Sequence, residues 1–372
     1  MILDGSVLEG GGQILRNAVS LSALLGKPIS IQKVRNGRKP PGLKNQHRVG
    51  VSRIELAAQI ASARVTGATN GSLAVDFTPD RITAGDYTAD SVTAGAVTLL
   101  LQISLPILLF APATKSCTLT LKGGTNATNA PQIDYIQHVF LPFATRHFGL
   151  RAEVDLRRRG YFPKGGGEVH VTVFPGADSG ALTSASVMER GSVTRIGGIA
   201  HLAGLPAHLG DKMVEGALKR LAQSGFAPDA TVPVTIDIQS KREKNENTVG
   251  AGSGIVLWAE LAGGGMIGGS AVGNKKKLPF AVGEEAANEL IKGLEEGGVV
   301  DEYLEDQVII LMALAKGRSE IKCSKNGLSL HTKTAIWVAE QLTDAKFDVA
   351  VEDSGHTIIR CNGIGYMGIQ NK

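Results

Sequence analysis

Apolar residues recur along this chain of 372 residues at two spacings, and each spacing predicts one kind of element. Where an apolar residue recurs every three or four positions, as in 12–25, the pattern predicts an amphipathic helix. Where apolar and polar residues alternate, as in 117–122, it predicts a strand. The order helix, short strand, Gly- or Asn-containing loop, second helix and one or two further strands occurs three times. We therefore expect an α/β (α+β) fold with a repeated large domain.

Extra sequence separates the second copy from the third, because the strand starts of successive copies lie about 88 and then about 203 residues apart. The predicted elements of the copies are helices at 12–25, 43–63, 131–147, 301–315 and 332–342, an uncharged helix within 91–114, and strands at 29–32, 117–122 and 320–323, with others ending near residues 77, 173 and 360. The extra segment carries a pattern of its own, with strands at 195–202, 232–238 and near 255–261 and a helix at 209–223. We predict a large domain at 1–182 and 278–372, interrupted by a small α/β domain at 183–277.

The segment 91–114 carries no charged residue, so its length would allow a membrane span. Against a span, it contains Gln102, Ser104 and two prolines, and it has no Trp or Tyr to anchor it at an interface. The pattern favours a buried helix.

Composition narrows the class of protein. The chain has 47 Gly residues and 20% charged residues, which is typical of a globular protein with many tight turns and excludes a disordered chain. Its three cysteines lie far apart, with no CxxC pair, so they predict neither a disulfide framework nor a zinc module. The first residues do not resemble a secretory signal, and we expect an intracellular compartment.

The formal net charge of +4 conceals an uneven distribution. No acidic residue occurs between Glu9 and Glu55, and the cations of that interval are Arg16, Lys27, Lys33, Arg35, Arg38, Lys39, Lys44, Arg48 and Arg53. Such a cluster is suited to phosphate groups, because a guanidinium binds phosphate oxygens through two parallel hydrogen bonds. The alternative interpretation is a solvated basic face.

Three short patterns carry candidate chemistry. Glu9–Arg16 is a triple-glycine turn that enters a helix, which favours anion binding at the helix N-terminus and leaves Glu9 available for a divalent cation. Tyr303, Asp306 and Gln307 share one helical face, although a polar first turn that complements the helix dipole would look the same. His331 stands at the start of a predicted helix, where the neutral imidazole that can attack phosphorus is favoured. A purely structural histidine is the alternative.

The segment Arg159–Val169 contains three consecutive glycines before an alternating strand, which indicates closely packed backbone. With these patterns in view, the chain resembles the RNA 3'-terminal phosphate cyclase family over nearly its whole length. The residues that carry the resemblance are Glu9–Arg16, Arg35, Gly37 and Arg38, Pro41 to Leu43, Gln46 and His47, Gln102, Pro131, Arg159–Gly167, Tyr303–Gln307 and His331.

The resemblance implies three βαβαββ repeats, like the C-terminal domain of translation initiation factor 3, with a small inserted α/β domain. It also implies an ATP-dependent reaction in which His331 becomes a covalent adenylate and an RNA 3'-phosphate end becomes a 2',3'-cyclic phosphate. By resemblance, the ATP site is lined by Gln102, Pro131, Tyr303, Asp306 and Gln307. Glu9 would hold Mg²⁺ or Mn²⁺, and the phosphates or the RNA end would contact Arg16, Arg35, Arg38, Gln46 and His47.

Two other functions stay open at this point. One is a non-catalytic cyclase-like protein of ribosome assembly, against which the presence of His331 argues. The other is an enolpyruvyl transferase, whose six-fold repeat is absent. The resemblance leaves the adenine-facing residue of the inserted domain unassigned, and the stretch 274–277 is either an RNA contact or a solvated run of cations. We expect an RNA partner, no membrane and no DNA partner, and a nuclear location for a eukaryotic source or a cytoplasmic one otherwise.

Overall fold

The computed structural model of the chain describes residues 1–37, 39, 41–43, 49–91, 93–112, 115–176, 180–226 and 234–368, and for 49 and 50 it describes the backbone alone. Helix α1, Gly12–Leu25, has the predicted bounds. It ends because Gly26 adopts a left-handed conformation with φ 63°, from which its amide bonds the carbonyl of Ser22. The other helices are α2, Val49–Ile60; α3, Val97–Leu109; α4, Ile133–Tyr135; α5, Leu141–Phe148; α6, His208–Ala222; α7, Pro279–Glu295; α8, Glu302–Leu314; and α9, Leu330–Leu342.

The helix predicted at 131–147 is divided. A π-helical segment, Ile136–Phe140, lies between α4 and α5. Pro142, in the first turn of α5, has no N–H to donate to the carbonyl four residues earlier, which removes one bond of the regular α-helical ladder. The division matters for the site because Ile136 and Phe140 line one side of a cavity and His138 lines a groove on another side.

The described strands form four sheets that mix parallel and antiparallel pairs, so the predicted α/β class is confirmed. The strands are β1, Ile2–Asp4; β2, Ile29–Gln32; β3, Arg64–Thr66; β4, Val75–Thr78; β5, Asp86–Asp90; β6, Cys117–Gly123; β7, Ala152–Gly160; β8, Gly167–Val173; β9, Ser186–Val187; β10, Val193–Ala203; β11, Thr235–Arg242; β12, Thr248–Val249; β13, Gly252–Leu261; β14, Met266–Val272; β15, Lys316–Lys322; β16, Lys346–Val351; and β17, Thr357–Ile364. The sheet orders are β1-β2-β4-β3, β12-β7-β8-β6-β5, β16-β17-β15-β9 and β11-β10-β13-β14. The βαβαββ repeat itself stays a prediction.

The main core lies between three of these sheets and the helices. Helices α1, α2, α3, α8 and α9 contact one another, and the strands around them alternate buried and exposed residues, as in β6 and β8. Helix α3 lies within the uncharged segment and is buried along almost all of its length, as the pattern favoured. None of the helices in the described parts of the chain has the length and apolarity needed to cross a membrane.

A second apolar core is formed by residues of β10, α6, β13, β14 and α7. We call residues 193–295 the inserted unit. Helices α6 and α7 pack together, and α7 packs on β13 and β14. The opposite face of the sheet contributes Val256, Trp258 and Met266 to the main core. The predicted domain limits, 183 and 277, stay a prediction.

Candidate active site

A cavity with an internal volume of about 30 Å³ lies where α1, α3, α8 and the π-helical segment meet. That volume has room for a water-sized group. Four of the predicted site residues line it together: Arg16 from α1, Gln102 from α3, and Asp306 and Gln307 from α8. They come from three distant parts of the sequence, so only the packing of the helices brings them into one place.

Ionisable side chains lie in and beside the cavity, and burial shifts their pKa values. Burial raises the pKa of Asp306 to about 8, although the facing Arg16 guanidinium acts in the opposite direction. Burial lowers the pKa of Arg16, and the charges of Asp306 and Glu9 partly offset that effect. Burial and the neighbouring Arg16 together lower the pKa of Arg53 to about 9. The guanidinium groups of Arg16 and Arg53 therefore lie close together although burial disfavours their charges. Such a pair is suited to binding an anion.

Several buried polar atoms that make no hydrogen bond lie in or beside this cavity. Among the described residues, the side-chain amide nitrogen of Asn17 and the amide oxygen of Gln307 are buried without a hydrogen bond, and both side chains line the cavity. The Nε atom of Arg53 is also buried and makes no hydrogen bond. Buried polar groups are normally satisfied, so these atoms fit a polar ligand.

Sequence reasoning missed three residues of this site. Gln13 and Asn17 share with Arg16 one face of α1, at positions i, i+3 and i+4 of the helix, and the helical spacing alone could have identified them. Arg53 was counted only as part of the acid-free interval. A Cβ atom at Gly12 would lie 2.8 Å from a guanidinium nitrogen of Arg16 and 3.6 Å from one of Arg53, which shows how close the two groups come.

The first turn of α9 carries His331, which is exposed. Ser329 caps the helix by accepting a hydrogen bond from the amide of Thr332 at 3.1 Å. The Thr332 hydroxyl donates to the buried carboxylate of Glu305, on α8, at 2.6 Å. The hydroxyl of Thr334 donates to the carbonyl of Leu330 at 2.6 Å and accepts from the amide of Glu9 at 3.1 Å. The turn with His331 is therefore attached both to the cavity helix and to the glycine-rich turn.

Glu9 itself is half-buried in the glycine-rich turn. Its carboxylate lies over Gly11, where a Cβ atom would come within 2.3 Å of Glu9 Oε1, so a side chain at this position would displace the carboxylate. No group of three or more His, Cys, Asp or Glu residues in the described ranges is arranged to hold a metal ion. One carboxylate fits Mg²⁺ or Mn²⁺ only as a cation that takes its remaining ligands from phosphate and water, which is the usual manner for Mg²⁺ at a nucleotide.

Pro131 and Tyr303 do not line the cavity but lie beside it. The carbonyl of Pro131 accepts from the Thr98 hydroxyl at 2.9 Å, one turn before Gln102 on α3. The Tyr303 ring is half-buried, and burial raises the pKa of its phenol to about 12. The Tyr303 carbonyl accepts from the Gln307 side chain at 2.6 Å. The helix is capped by Asp301, and Asp306 and Gln307 line the cavity.

The predicted phosphate-binding loop is described only in part. Arg35 is half-buried after β2, and its φ of 55° places it in the left-handed region. It is absent from the lining of the cavity. Arg38, Gln46 and His47 lie outside the described residues. The roles assigned to these four residues stay predictions.

A buried polar network joins the large part of the chain to the inserted unit. Arg159 binds the Asp134 carboxylate through two hydrogen bonds of 2.7 Å and the Glu243 carboxylate at 2.8 Å. His201 contacts Gln132 at 2.9 Å, and burial together with the nearby Arg159 lowers the pKa of this histidine to about 3. Gln132 directly follows Pro131, so the network fixes the wall beside the cavity. Sequence reasoning recognised the Arg159 pattern without predicting this role.

A larger groove, of about 640 Å³, lies between α5 and the sheet of the inserted unit. Its lining includes His138 stacked on Trp258, with ring centres 4.4 Å apart, and the cations Arg146 and Arg195. None of the predicted site residues that the structure describes lines it. Its size alone does not make it the active site, because the buried charges line the smaller cavity and the turn with His331 is attached to α8 beside that cavity.

We expect Asp306→Asn to stabilise the chain without ligand at alkaline pH. The folded state keeps the Asp306 proton to about pH 8, whereas an unfolded aspartate loses it near pH 4, at about 3.9. Stability is therefore lost progressively as the pH rises between these two values. In thermal unfolding without ligand, Asp306→Asn should melt at least about 2 °C above the parent at pH 8 and close to it at pH 4. A lower melting temperature for the variant at pH 8 would contradict the raised pKa.

Comparison with known proteins identifies a family and several similar chains. A family model described as RNA 3'-terminal phosphate cyclase matches residues 7–349. The chain is 39% identical over 365 residues to an RNA 3'-terminal phosphate cyclase of Pyrobaculum neutrophilum, which covers 98% of this chain and 99% of that protein. It is 37% identical over 366 residues to the protein of the same name in Drosophila melanogaster, covering 98% and 97%. A Methanosarcina barkeri protein of that name is 41% identical over 347 residues, covering 93% and 96%.

Proposed function

The chain belongs to the RNA 3'-terminal phosphate cyclase family, and we propose that it converts an RNA 3'-phosphate end to a 2',3'-cyclic phosphate at the expense of ATP. The observation that carries the proposal is the cavity that unites Arg16, Gln102, Asp306 and Gln307, attached through Glu305 and Thr332 to the turn with His331. A family member without catalysis would have no need of this arrangement. The nuclear location predicted for a eukaryotic source stays a prediction.

In the first step, a ring nitrogen of His331 attacks the α-phosphorus of ATP. A nitrogen–phosphorus bond forms, the bond from the α-phosphorus to its bridging oxygen breaks, and pyrophosphate leaves. The exposure of His331 at the second position of α9 supports this role, because the side chain is accessible and its backbone is fixed by the Ser329 cap. The positive end of the helix dipole favours the negative charge of the phosphates.

In the second step, an oxygen of the RNA 3'-phosphate takes the adenylyl group from His331, which makes a phosphoanhydride. In the third, the neighbouring 2'-hydroxyl attacks the 3'-phosphorus, its proton is lost to solvent or a base, and AMP leaves. Adenylation supplies the leaving group that a phosphate oxygen lacks. Cations and hydrogen-bond donors then have to hold two phosphates close together, and we assign that task to the cations Arg16, Arg35 and Arg38 and to the donors Gln46 and His47.

On the ATP side, we assign the nucleoside to Gln102, Pro131, Tyr303, Asp306 and Gln307. The unbonded amide oxygen of Gln307 and amide nitrogen of Asn17 offer an acceptor and a donor to it. A divalent cation held by Glu9 would neutralise charge on the phosphates. The raised pKa of Asp306 also fits a group that donates or shares a proton with a ligand hydroxyl.

Two assays test the proposal together. The chain is incubated with a divalent cation and ATP labelled at the α-phosphate, and covalent label is measured after denaturation. RNA ending in a 3'-phosphate is then added, and its terminus is tested for resistance to phosphatase. We expect both label and phosphatase-resistant ends. A chain that takes no label and leaves the RNA unchanged would contradict the proposal and favour the non-catalytic alternative.

A positioning role for Thr332 gives a further prediction. Thr332→Val removes the hydroxyl that donates to Glu305, so the turn with His331 loses its attachment to α8 and leaves a buried carboxylate short of a donor. We expect the rate of covalent labelling at saturating ATP to fall about 10- to 100-fold, as for a misplaced catalytic group. Thr332→Ser keeps the hydroxyl and should keep most of the rate. Equal losses in the two variants would contradict this role, because the hydroxyl kept in Thr332→Ser would then not preserve the rate.

A further inference from the structure

An exposed aromatic side chain stands at the tip of the loop between β7 and β8. Phe162 is 73% exposed, the highest value among the exposed aromatic side chains of the described residues. The residues on either side of the tip are fixed: Tyr161 is buried, and Gly165 packs against the backbone of Thr93 and Ala94 so closely that a Cβ atom would lie 2.4 Å from a carbonyl oxygen. A rigid support under an exposed ring is suited to stacking, because little conformational freedom is lost on binding.

A segment of the inserted unit that carries three cations, Lys241, Arg242 and Lys244, runs alongside the loop with this tip. Strand β12 pairs with β7 at Arg159 and Gly160, which places the chain from β11 to β12 alongside the loop. Gly250 comes so close to Lys164 that a Cβ atom there would lie 3.3 Å from its Cδ. We define the Phe162 surface as the exposed side chains Phe162, Lys164, Lys241, Arg242 and Lys244.

The charge of the Phe162 surface is mostly not neutralised. Lys164 and Arg242 make no ion pair with any acidic side chain in the described parts of the chain. Lys241 approaches Glu243 at 3.6 Å, but that carboxylate is buried and already binds Arg159. Lys244 is paired with the exposed Glu246 at 3.8 Å. Exposed pairs of this kind are weak, so the lysine can exchange its partner for a phosphate.

The surface lies beside the proposed ATP site. The hydroxyl of Tyr161 contacts His201 at 2.9 Å, and His201 contacts Gln132, the neighbour of Pro131, at 2.9 Å. On its other side, the loop rests on the segment that leads into α3, the helix of Gln102. An RNA strand whose 3' end reaches the site would have its preceding nucleotides near this surface.

We infer that the Phe162 surface binds single-stranded RNA upstream of the reacting 3' end, with a base stacked on Phe162 and backbone phosphates held by Lys164, Lys241, Arg242 and Lys244. This inference rests on the proposed function for the identity of its ligand. An aromatic ring among cations is the arrangement that binds single strands without reading their sequence. A protein partner is less well matched, because one phenyl ring among four cations offers little contiguous apolar area.

The test compares a long and a short RNA end. The first measurement is the affinity of a fluorescently labelled 12-nucleotide RNA with a 3'-phosphate, determined by anisotropy at two salt concentrations. The second is cyclisation of this RNA and of a dinucleotide with a 3'-phosphate, which has only one nucleotide upstream of its reacting end. The variants are Phe162→Ala, Phe162→Tyr and Lys164→Ala, and the matched controls are Val351→Ala, which removes a side chain 70% exposed on β16, and the exposed Lys346→Ala.

We expect Phe162→Ala to weaken binding of the long RNA about tenfold, as loss of one stacked base predicts, and Phe162→Tyr to keep it within about twofold. Lys164→Ala should weaken binding of the long RNA. It should also reduce by about one the slope of log affinity against log salt concentration. Dinucleotide cyclisation, covalent labelling by ATP and both control variants should be unchanged. If neither Phe162→Ala nor Lys164→Ala weakens binding of the long RNA, or if the dinucleotide and the labelling fall equally, the inference is overturned. A parent chain that binds RNA through this surface but forms no cyclic phosphate would instead refute the proposed function.

Discussion

Replacing His331 with alanine is expected to abolish covalent labelling of the chain by α-labelled ATP and to remove cyclisation of RNA 3'-phosphate ends. The imidazole is the proposed nucleophile, and loss of a nucleophile costs at least about 10³-fold in rate. The side chain is exposed at the start of α9, so its removal leaves no cavity and should not change the folded structure. Label measured on denatured protein checks the chemistry, and thermal unfolding checks the fold. A phosphorus–nitrogen bond should also be labile in acid and stable in alkali.

His208→Ala provides the matched control. His208 is also exposed and begins a helix, α6, but lies in the inserted unit away from the cavity. The two histidines therefore share their local setting at a helix N-terminus and differ in what surrounds them. Retained label in His331→Ala, or equal loss in both variants, would refute the assignment of the nucleophile.

Arg159→Met is expected to cause the largest loss of stability. Arg159 and Asp134 are both 2% exposed, and the Glu243 side chain is 10% exposed. Removing the guanidinium leaves the buried Asp134 carboxylate without a cation and Glu243 with only the exposed Lys241 at 3.6 Å. This loss costs about 3–5 kcal/mol of the free energy of unfolding. The inserted unit should also lose one of the contacts that hold it beside Gln132. Denaturant unfolding at pH 7 measures the loss.

The neighbouring Arg157→Met is the control for this substitution. Arg157 lies on the same strand, but its side chain is 59% exposed and pairs with an Asp155 side chain that is 55% exposed. Exposed pairs contribute at most about 1 kcal/mol, so this variant should unfold close to the parent. Similar losses in the two variants would show that the buried network does not stabilise the chain.

The same network predicts the direction of a pH dependence. Burial alone would raise the pKa of Asp134, but the Arg159 guanidinium outweighs it and holds that pKa well below its ordinary range. This stabilisation is present above the ordinary aspartate pKa, near 4, and is lost as the pH falls towards the lower folded value. Without Arg159 the buried carboxylates favour the protonated form, so Arg159→Met should be less destabilised at pH 4 than at pH 7.

Elements with strong side-chain patterns were predicted well. Helix α1 has the predicted bounds because its apolar residues recur with helical spacing and Gly26 ends it. Strand β6, Cys117–Gly123, alternates buried and half-buried residues, and its predicted end lies within one residue of the observed one. In both elements one face is buried against neighbours, so the periodicity of the sequence directly reflects the environment.

Elements made of small residues were not predicted. Strand β14 crosses a glycine-rich segment in which a Cβ atom at Gly269 would lie 2.4 Å from the Leu290 amide of α7, and one at Gly268 would lie 2.4 Å from the Tyr135 ring. The strand needs glycine because a helix and an aromatic ring press against it. A residue without a side chain leaves no alternation to read, so the close approach is visible only in the folded chain. Helix α7, which packs on this strand, was not predicted either.

What the sequence by itself determined about this protein is its mixed α/β class, the bounds of its strongly patterned elements and its family. Those properties depend on residue type and short spacing. Only the tertiary structure decided that Gln13 and Asn17 join the predicted residues at the cavity, that Arg53 lies beside Arg16, that Thr332 attaches the His331 turn to Glu305, and that Arg159 joins the two parts of the chain. Contacts of this kind connect residues dozens to hundreds of positions apart. They arise because helices pack together and exclude water, which also explains the raised pKa of Asp306.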